Sequence, residues 1–273
     1  MEKALPDHVF AACLRDCTRE RRGRRMEYLI FPIPLVEFRA CRGLDFFRDL
    51  SGEESTSILY TWLIQGEKAT VLVDPCVNAE DIPRYSSGGF SGKRISSFGE
   101  GLSRFGLKAT DLEVVILTHL HYDHFVNAME CKNARVIIQK RELDFALNPH
   151  PLFASSYRKE WYKGVHFQAI EGDQEIVPGI QVLLTPGHTA GNQSVVIQTA
   201  RGKAVIAGFC STFEHFFPER FAKTGSRTPL PVSIPGICFN PMEAYDSALR
   251  VKTAGDILIP IHDLSFRDGK PIP

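Results

Sequence analysis

The stretch THLHYDH, Thr118–His124, sets three histidines and an aspartate within seven positions, directly after the apolar run Val114-Val115-Ile116-Leu117. A β-rich run that closes on so many titratable side chains reads as a strand whose end is a site. In an extended segment His119 and His121 point to the same face. Two imidazoles can then converge on one ion while Leu120 packs behind them. A helix beginning near Asp123 turns that carboxylate and His124 toward a second position. Such a group has little to offer a hydrophobic core, and it is read as metal-binding.

Other strand-like runs end in residues of the same chemistry. IQVLLT (180–185) leads into Pro186-Gly187-His188, KAVIAGF (203–209) into Cys210, and DILIPI (256–261) into His262 and Asp263. Strands lying side by side in one sense bring these ends to one rim, which predicts a single polar pocket. Gly187 allows a close backbone approach just before His188. Imidazole, carboxylate and thiolate together suit zinc. His8, His150, His166 and His215 are read as ordinary surface or core histidines.

Around these motifs, short β-rich runs alternate with turn clusters. Ser57–Ile64 and Ala69–Asp74 are separated by Gly66-Glu67, a hairpin signal, and SSGGFSGKR (86–94) is a loop by composition. RVIIQ (135–139) and QSVVIQT (193–199) add strands. Helices are expected over 98–107, KRELDFAL (140–147) and PMEAYDSALRVKTAG (241–255). Strand pairs each followed by helix suggest two sheets faced against each other and covered outside by helices. Residues 1–25, ending in RERRGRR, form an N-terminal extension ahead of a domain over 26–273. That extension is read as a solvated helical arm, with an electrostatic docking arm or a true start at Met26 as alternatives.

Bulk properties narrow the function. The chain has 273 residues, 44% hydrophobic and 23% charged, with a formal net charge of zero and a pI of about 7.1. No global field gathers polyanions, so no nucleic-acid partner is expected. No apolar run approaches the roughly 18 residues that span a bilayer, and no membrane partner is expected either. The N-terminal charges follow the mildly apolar part, the wrong order for a secretory signal. Seven scattered cysteines do not form a secreted disulfide framework, which points to a reduced, cytoplasmic compartment. Cys13 and Cys17 are taken as a buried pair. Oligomeric state stays open.

THLHYDH, TPGHTAG (185–191) and the strand-end His262 together resemble the metallo-β-lactamase superfamily, with VLVDP (Asp74) similar to the strand-end aspartate of its early hairpin. The similarity runs from about residue 27 onward. The resemblance implies an α/β fold, a four-layer αββα sandwich, with a dinuclear site that usually holds zinc at one edge of the sheets. Length and the lack of a signal peptide make the chain most similar to the N-acyl-homoserine lactonase-like branch. Carried over by position, His119, His121 and His188 hold one metal, and Asp123, His124 and His262 the other.

Three departures stand out. Lactonases of this superfamily place a bridging aspartate where this chain has Cys210, which is read as a thiolate ligand of the second metal, a bystander to a mononuclear site, or the mark of a changed or lost activity. A tyrosine expected three positions later is Phe213, and the usual His-x-Gly-Gly is His124-Phe125-Val126-Asn127. The expected function is hydrolysis of a small molecule with a lactone, ester or thioester carbonyl by zinc-bound hydroxide, with Asp123 orienting the nucleophile and two zinc ions per chain, or iron or manganese in their place. Phe213, Phe216 and Phe217 are expected to line the substrate wall, and Arg158, Lys159 and Lys163 to offer a cation beside it. A mononuclear-iron persulfide dioxygenase and a non-catalytic metal sensor are the rival readings.

Overall fold

Alternation within β2 (Glu54–Gln65) decides how the strands stack. Ile58, Tyr60, Trp62 and Ile64 share one face, Leu59 and Leu63 the other, and all are buried. A strand buried on both faces lies between two layers. The computed structural model of the chain describes residues 27–86, 92–221 and 230–273. The N-terminal extension, with His8, Cys13 and Cys17, and residues 87–91 of the expected loop lie outside the described residues.

The first sheet is ordered β4-β1-β2-β3-β5-β6-β7. Its strands are β1 (Leu29–Cys41), β2, β3 (Thr70–Val73), β4 (Gly92–Arg94), β5 (Val114–Ile116), β6 (Arg135–Gln139) and β7 (Phe167–Ile170). The second is ordered β12-β11-β10-β9-β8, from β8 (Gln174–Val177), β9 (Ile180–Leu184), β10 (Gln193–Thr199), β11 (Gly202–Ala207) and β12 (Ile257–Pro260). β3, β5, β6 and β7 run parallel, as do β11 and β12. Parallel neighbours end on the same rim, so the residues after β3, β5, β11 and β12 are carried to one side.

Three apolar layers follow from the alternation. Ile58, Tyr60, Trp62, Val71 and Ile116 meet Ile180, Val195, Ile206 and Ile259 between the sheets. Leu59, Leu63, Leu72 and Val115 pack outward on Phe98, Leu102, Phe125 and Ala146. On the far side Val196, Val205 and Ala207 pack on Ala244, Ala248 and Val251 of the helix Pro241–Ala254. The spacing of that buried stripe, with Ser247, is the helical i, i+3, i+4, i+7. Asn240 caps the helix by accepting from the Met242 and Glu243 N–H groups. These layers are the αββα sandwich.

The chain differs from its sequence reading at the quieter elements. The expected helix over 98–107 stops at Ser103, and Gly106 with φ +70° closes the turn after it. Gly92–Arg94, within the expected loop, pairs with Val36–Phe38 of β1. β1 itself carries Pro32 and Pro34, where its outer edge has no strand neighbour among the described residues, so the missing N–H groups break no ladder bond. β7 and β8 are short and half exposed, and their alternation is too weak to announce them.

Candidate metal centre

The two sheets are tied together at the rim. Gln193 N–H donates to the Thr118 carbonyl at 2.9 Å, and Ile58 N–H donates to the His262 carbonyl at 3.1 Å. These bonds bring the end of β5 against the start of β10, and the end of β12 against β2. His119 and His121 there meet His188 and His262, which are distant in sequence.

Asp74 organises the rim from β3. It has φ +49°, a left-handed conformation that aspartate tolerates better than most side chains, and it is fully buried. Its Oδ1 accepts from Thr118 N–H at 2.7 Å, and its Oδ2 from the Thr118 hydroxyl at 2.6 Å and from His124 Nδ1 at 2.8 Å. With its proton given to Asp74, Thr118 Oγ1 accepts from His119 Nδ1 at 3.0 Å. His188 Nδ1 donates to the Ile237 carbonyl at 2.6 Å, and His262 Nδ1 to the Ile58 carbonyl at 3.0 Å. Each of these partners accepts, so Nδ1 carries a proton, and in the neutral rings of His119, His188 and His262 Nε2 keeps its lone pair. Outer hydrogen bonds of this kind orient metal-ligating imidazoles.

The free nitrogens converge as two groups. The ligand atoms of His119, His121 and His188 lie within 4.8 Å of one another, as do those of Asp123, His124 and His262. His119 Nε2 stands 3.1 Å from His121 Nδ1, and His124 Nε2 stands 3.2 Å from Asp123 Oδ2. Tetrahedral ligation by nitrogen at about 2.0–2.1 Å places ligand atoms about 3.3 Å apart. Buried nitrogens aimed at one another at that separation suit a shared cation, and the residues fit a metal.

The same burial shapes the ionisation. Burial, reinforced by neighbouring imidazoles, holds His119 and His188 well below the usual histidine range. Burial also lowers His121 and His262 to about 4. Burial opposes the charge on His124 as well, but Asp123 and Asp74 outweigh it and push His124 up to about 10. Desolvation works against the Asp123 charge, yet the surrounding imidazoles, His124 first, hold its carboxyl below the ordinary carboxylate range.

Gly187 is where close approach is required. It has φ +121°, and a Cβ there would meet the Ala244 nitrogen at 2.1 Å. Its carbonyl accepts from Phe239 N–H at 2.7 Å and Asn240 N–H at 3.0 Å. The His188 loop is thereby seated on the start of the helix Pro241–Ala254.

Cys210 does not join either group. Its carbonyl accepts from Ile261 N–H, while its side chain is fully buried among Phe216, Val232, Ala244 and Ala248. Burial alone pushes its thiol well above the usual range. Gly208, Phe209 and Ser211, on either side of it, face the cavity in its place. The thiolate-ligand reading therefore does not match this geometry, and among the described residues neither group has a shared carboxylate or sulfur.

The ligands open into a cavity of about 340 Å³ walled by Phe38, Leu59, Tyr85, Phe209, Ile237 and Ile261. None of the expected wall residues Phe213, Phe216 and Phe217 lines it. Phe213 leans on Phe266, Phe216 is sealed in the outer core, and Phe217 lies under Arg220 and Lys252. The short helix Phe213–Phe216 turns these rings away from the rim. From the 152–167 segment Ser155 and Ser156 reach the cavity and Tyr157 packs on His121, but Arg158, Lys159 and Lys163 do not line it. Asp45 is the one carboxyl in the wall besides Asp123 among the described residues. Asp45, Phe38 and Phe209 come from separate segments with no motif between them, so no local signal marks them.

Comparison with known proteins agrees with this geometry. The family model described as the metallo-beta-lactamase superfamily matches residues 58–208. An N-acyl homoserine lactonase of Bacillus cereus is 38% identical over 110 residues, a match spanning 38% of this chain and only 40% of that relative. An N-acyl homoserine lactonase of Bacillus thuringiensis is 29% identical over 208 residues, 71% of this chain and 75% of that one. An N-acyl homoserine lactone hydrolase, solved with N-hexanoyl-L-homoserine bound at its catalytic metal centre, superposes with a TM-score of 0.72 at 25% identity, covering 90% of this chain and 97% of the other. By its matched residues, its sandwich and its two convergent ligand groups, the chain belongs to the metallo-β-lactamase superfamily.

Proposed function

We propose that this protein is a metal-dependent hydrolase that opens the lactone ring of N-acyl homoserine lactones or close relatives, with zinc as its metal. One observation carries the reading: two adjoining ligand groups, His119/His121/His188 and Asp123/His124/His262, face a single apolar-walled cavity. The lactonase relatives support the same class of substrate. When bound, zinc supplies a Lewis acid for the carbonyl oxygen and lowers the pKa of water to roughly 7.

The chain's own residues do the rest. Asp123, which lines the cavity with both groups, orients the attacking water through its carboxylate. With phenylalanine at 213, no phenol is available there to polarise the carbonyl. Phe38, Leu59 and Ile237 give the acyl arm an apolar bed, and no lysine or arginine lines the cavity among the described residues. That wall favours a neutral acyl chain over one ending in a carboxylate. Among the described residues no helix is long and apolar enough to cross a membrane. The free thiols at Cys41, Cys76, Cys131, Cys210 and Cys238 support a reduced, cytoplasmic setting.

The test is ring opening of N-acyl homoserine lactones of graded acyl length, followed by proton release. Zinc-loaded protein is expected to turn over, chelation to abolish turnover, and zinc to restore it. His121→Ala is expected to lose both turnover and metal. Zinc-loaded protein that opens no lactone in the series would sink the reading.

A further inference from the structure

One buried carboxyl group has no part in the chemistry above. Glu142, in the first turn of the helix Lys140–Leu147, is wholly buried. Its Oε1 accepts from Leu120 N–H at 3.0 Å, and its Oε2 from the Thr189 hydroxyl at 2.7 Å and Gly191 N–H at 2.8 Å. Every one of these partners is a donor and none is a cation. A carboxylate buried with hydrogen bonds but no counter-charge is costly to keep, so the surroundings have to offset it in another way.

The positions of the donors say how. Leu120 lies between His119 and His121, and Thr189 follows His188 directly. One side chain therefore grips both segments that carry the first ligand group. The grip is tight, since a Cβ on Gly191 would meet the Glu142 nitrogen at 2.4 Å. Tyr157 closes the neighbourhood by packing on His121, with ring centroids 5.5 Å apart. The first group consists of neutral imidazoles alone and has no anionic ligand of its own. A dication there and a buried carboxylate behind it each supply what the other lacks.

We propose that Glu142 is a positioning residue for the first metal position. It holds the Leu120 and Thr189–Gly191 segments at the spacing that lets His119, His121 and His188 share one cation, and it is the counter-charge of that cation. The proposal rests on reading the site as a metal centre, and it is independent of which carbonyl the enzyme attacks.

Glu142→Gln keeps the shape and removes the charge. Metal affinity is measured on the full chain by cobalt and zinc titration against a competing chelator, in a His262→Ala background that leaves only the first group complete. The expected result is a loss of affinity of about 10- to 100-fold with a shifted cobalt absorption band, while far-ultraviolet circular dichroism shows the fold retained. Thr189→Val, which deletes one donor and keeps the carboxylate, is expected to lose less. Wild-type affinity and spectrum in folded Glu142→Gln would overturn the proposal. If Glu142→Gln fails to fold, wild-type affinity and spectrum in Thr189→Val would overturn it instead. Because metal binding is read directly, a protein that binds cobalt normally but opens no lactone would refute the proposed substrate and leave the role of Glu142 standing.

Discussion

Asp74 and Cys210 show how differently two polar groups near one rim can behave. Asp74 spends both oxygens on Thr118 and His124, and through Thr118 it also fixes His119. Asp74→Ala is expected to weaken metal binding by about 10- to 100-fold. It should also lower stability by about 1–3 kcal/mol, because the buried Thr118 N–H loses its acceptor. Chelator competition and urea titration measure the two effects. Cys210 is buried within an apolar cluster and belongs to neither ligand group, so Cys210→Ala should leave metal stoichiometry unchanged. Cys210→Asp puts a carboxyl into a fully buried position within an apolar cluster, and a cost of at least about 1–3 kcal/mol is expected. An aspartate variant that gained a metal ion without losing stability would show that the side chain can turn to the rim.

The elements behind the centre matter through close approach as much as through contact. The turn at Gly187 lies against Ala244 and accepts from the residues that open the helix Pro241–Ala254. Any side chain at 187 pushes either the loop or the helix away, and His188 moves with the loop. Gly187→Ala is therefore expected to reduce zinc content and lower the melting temperature together, both from one purified sample. Gly99, where a Cβ would meet nothing within 4 Å, is the control position: Gly99→Ala should leave zinc content as it is. A 187 variant with full zinc content would show that the loop yields without moving His188.

Across the folded chain the buried imidazoles set a pH dependence for the metal-free protein. His119, His121, His188 and His262 all have folded pKa values lowered below 6.5, His121 and His262 to about 4. Between about 4 and 6.5 the unfolded chain binds more protons than the folded one, so stability rises with pH there. The contribution of the neutral imidazoles is complete above about 6.5 and is lost as the pH falls toward 4. His124, raised to about 10, acts in the opposite sense: its contribution is present below 6.5 and is lost as the pH rises through 10. Urea midpoints of chelator-treated protein are expected to climb from pH 5 to 6.5 and then decline gently. A midpoint that fell between pH 5 and 6.5 would contradict the burial of these groups.

Spacing and alternation make much of this legible in the sequence alone. The period-two pattern announced the central strands, the 140–147 helix has the bounds expected of it, and the crowding of His119, His121, Asp123 and His124 named a metal site because no core wants such a group. Local chemistry is written in neighbouring residues, and a linear chain records neighbours well. What a linear chain does not record is which way a side chain turns once its strand has ended. Cys210, Phe213 and Phe216 were expected at the cavity, yet the backbone after β11 turns two of them into the outer core and one against Phe266. Asp45, Phe209 and Glu142 reach the centre or its support only because two sheets close on each other at one rim. That closure depends on packing between distant segments, and so it belonged to the folded molecule rather than to any stretch of its sequence.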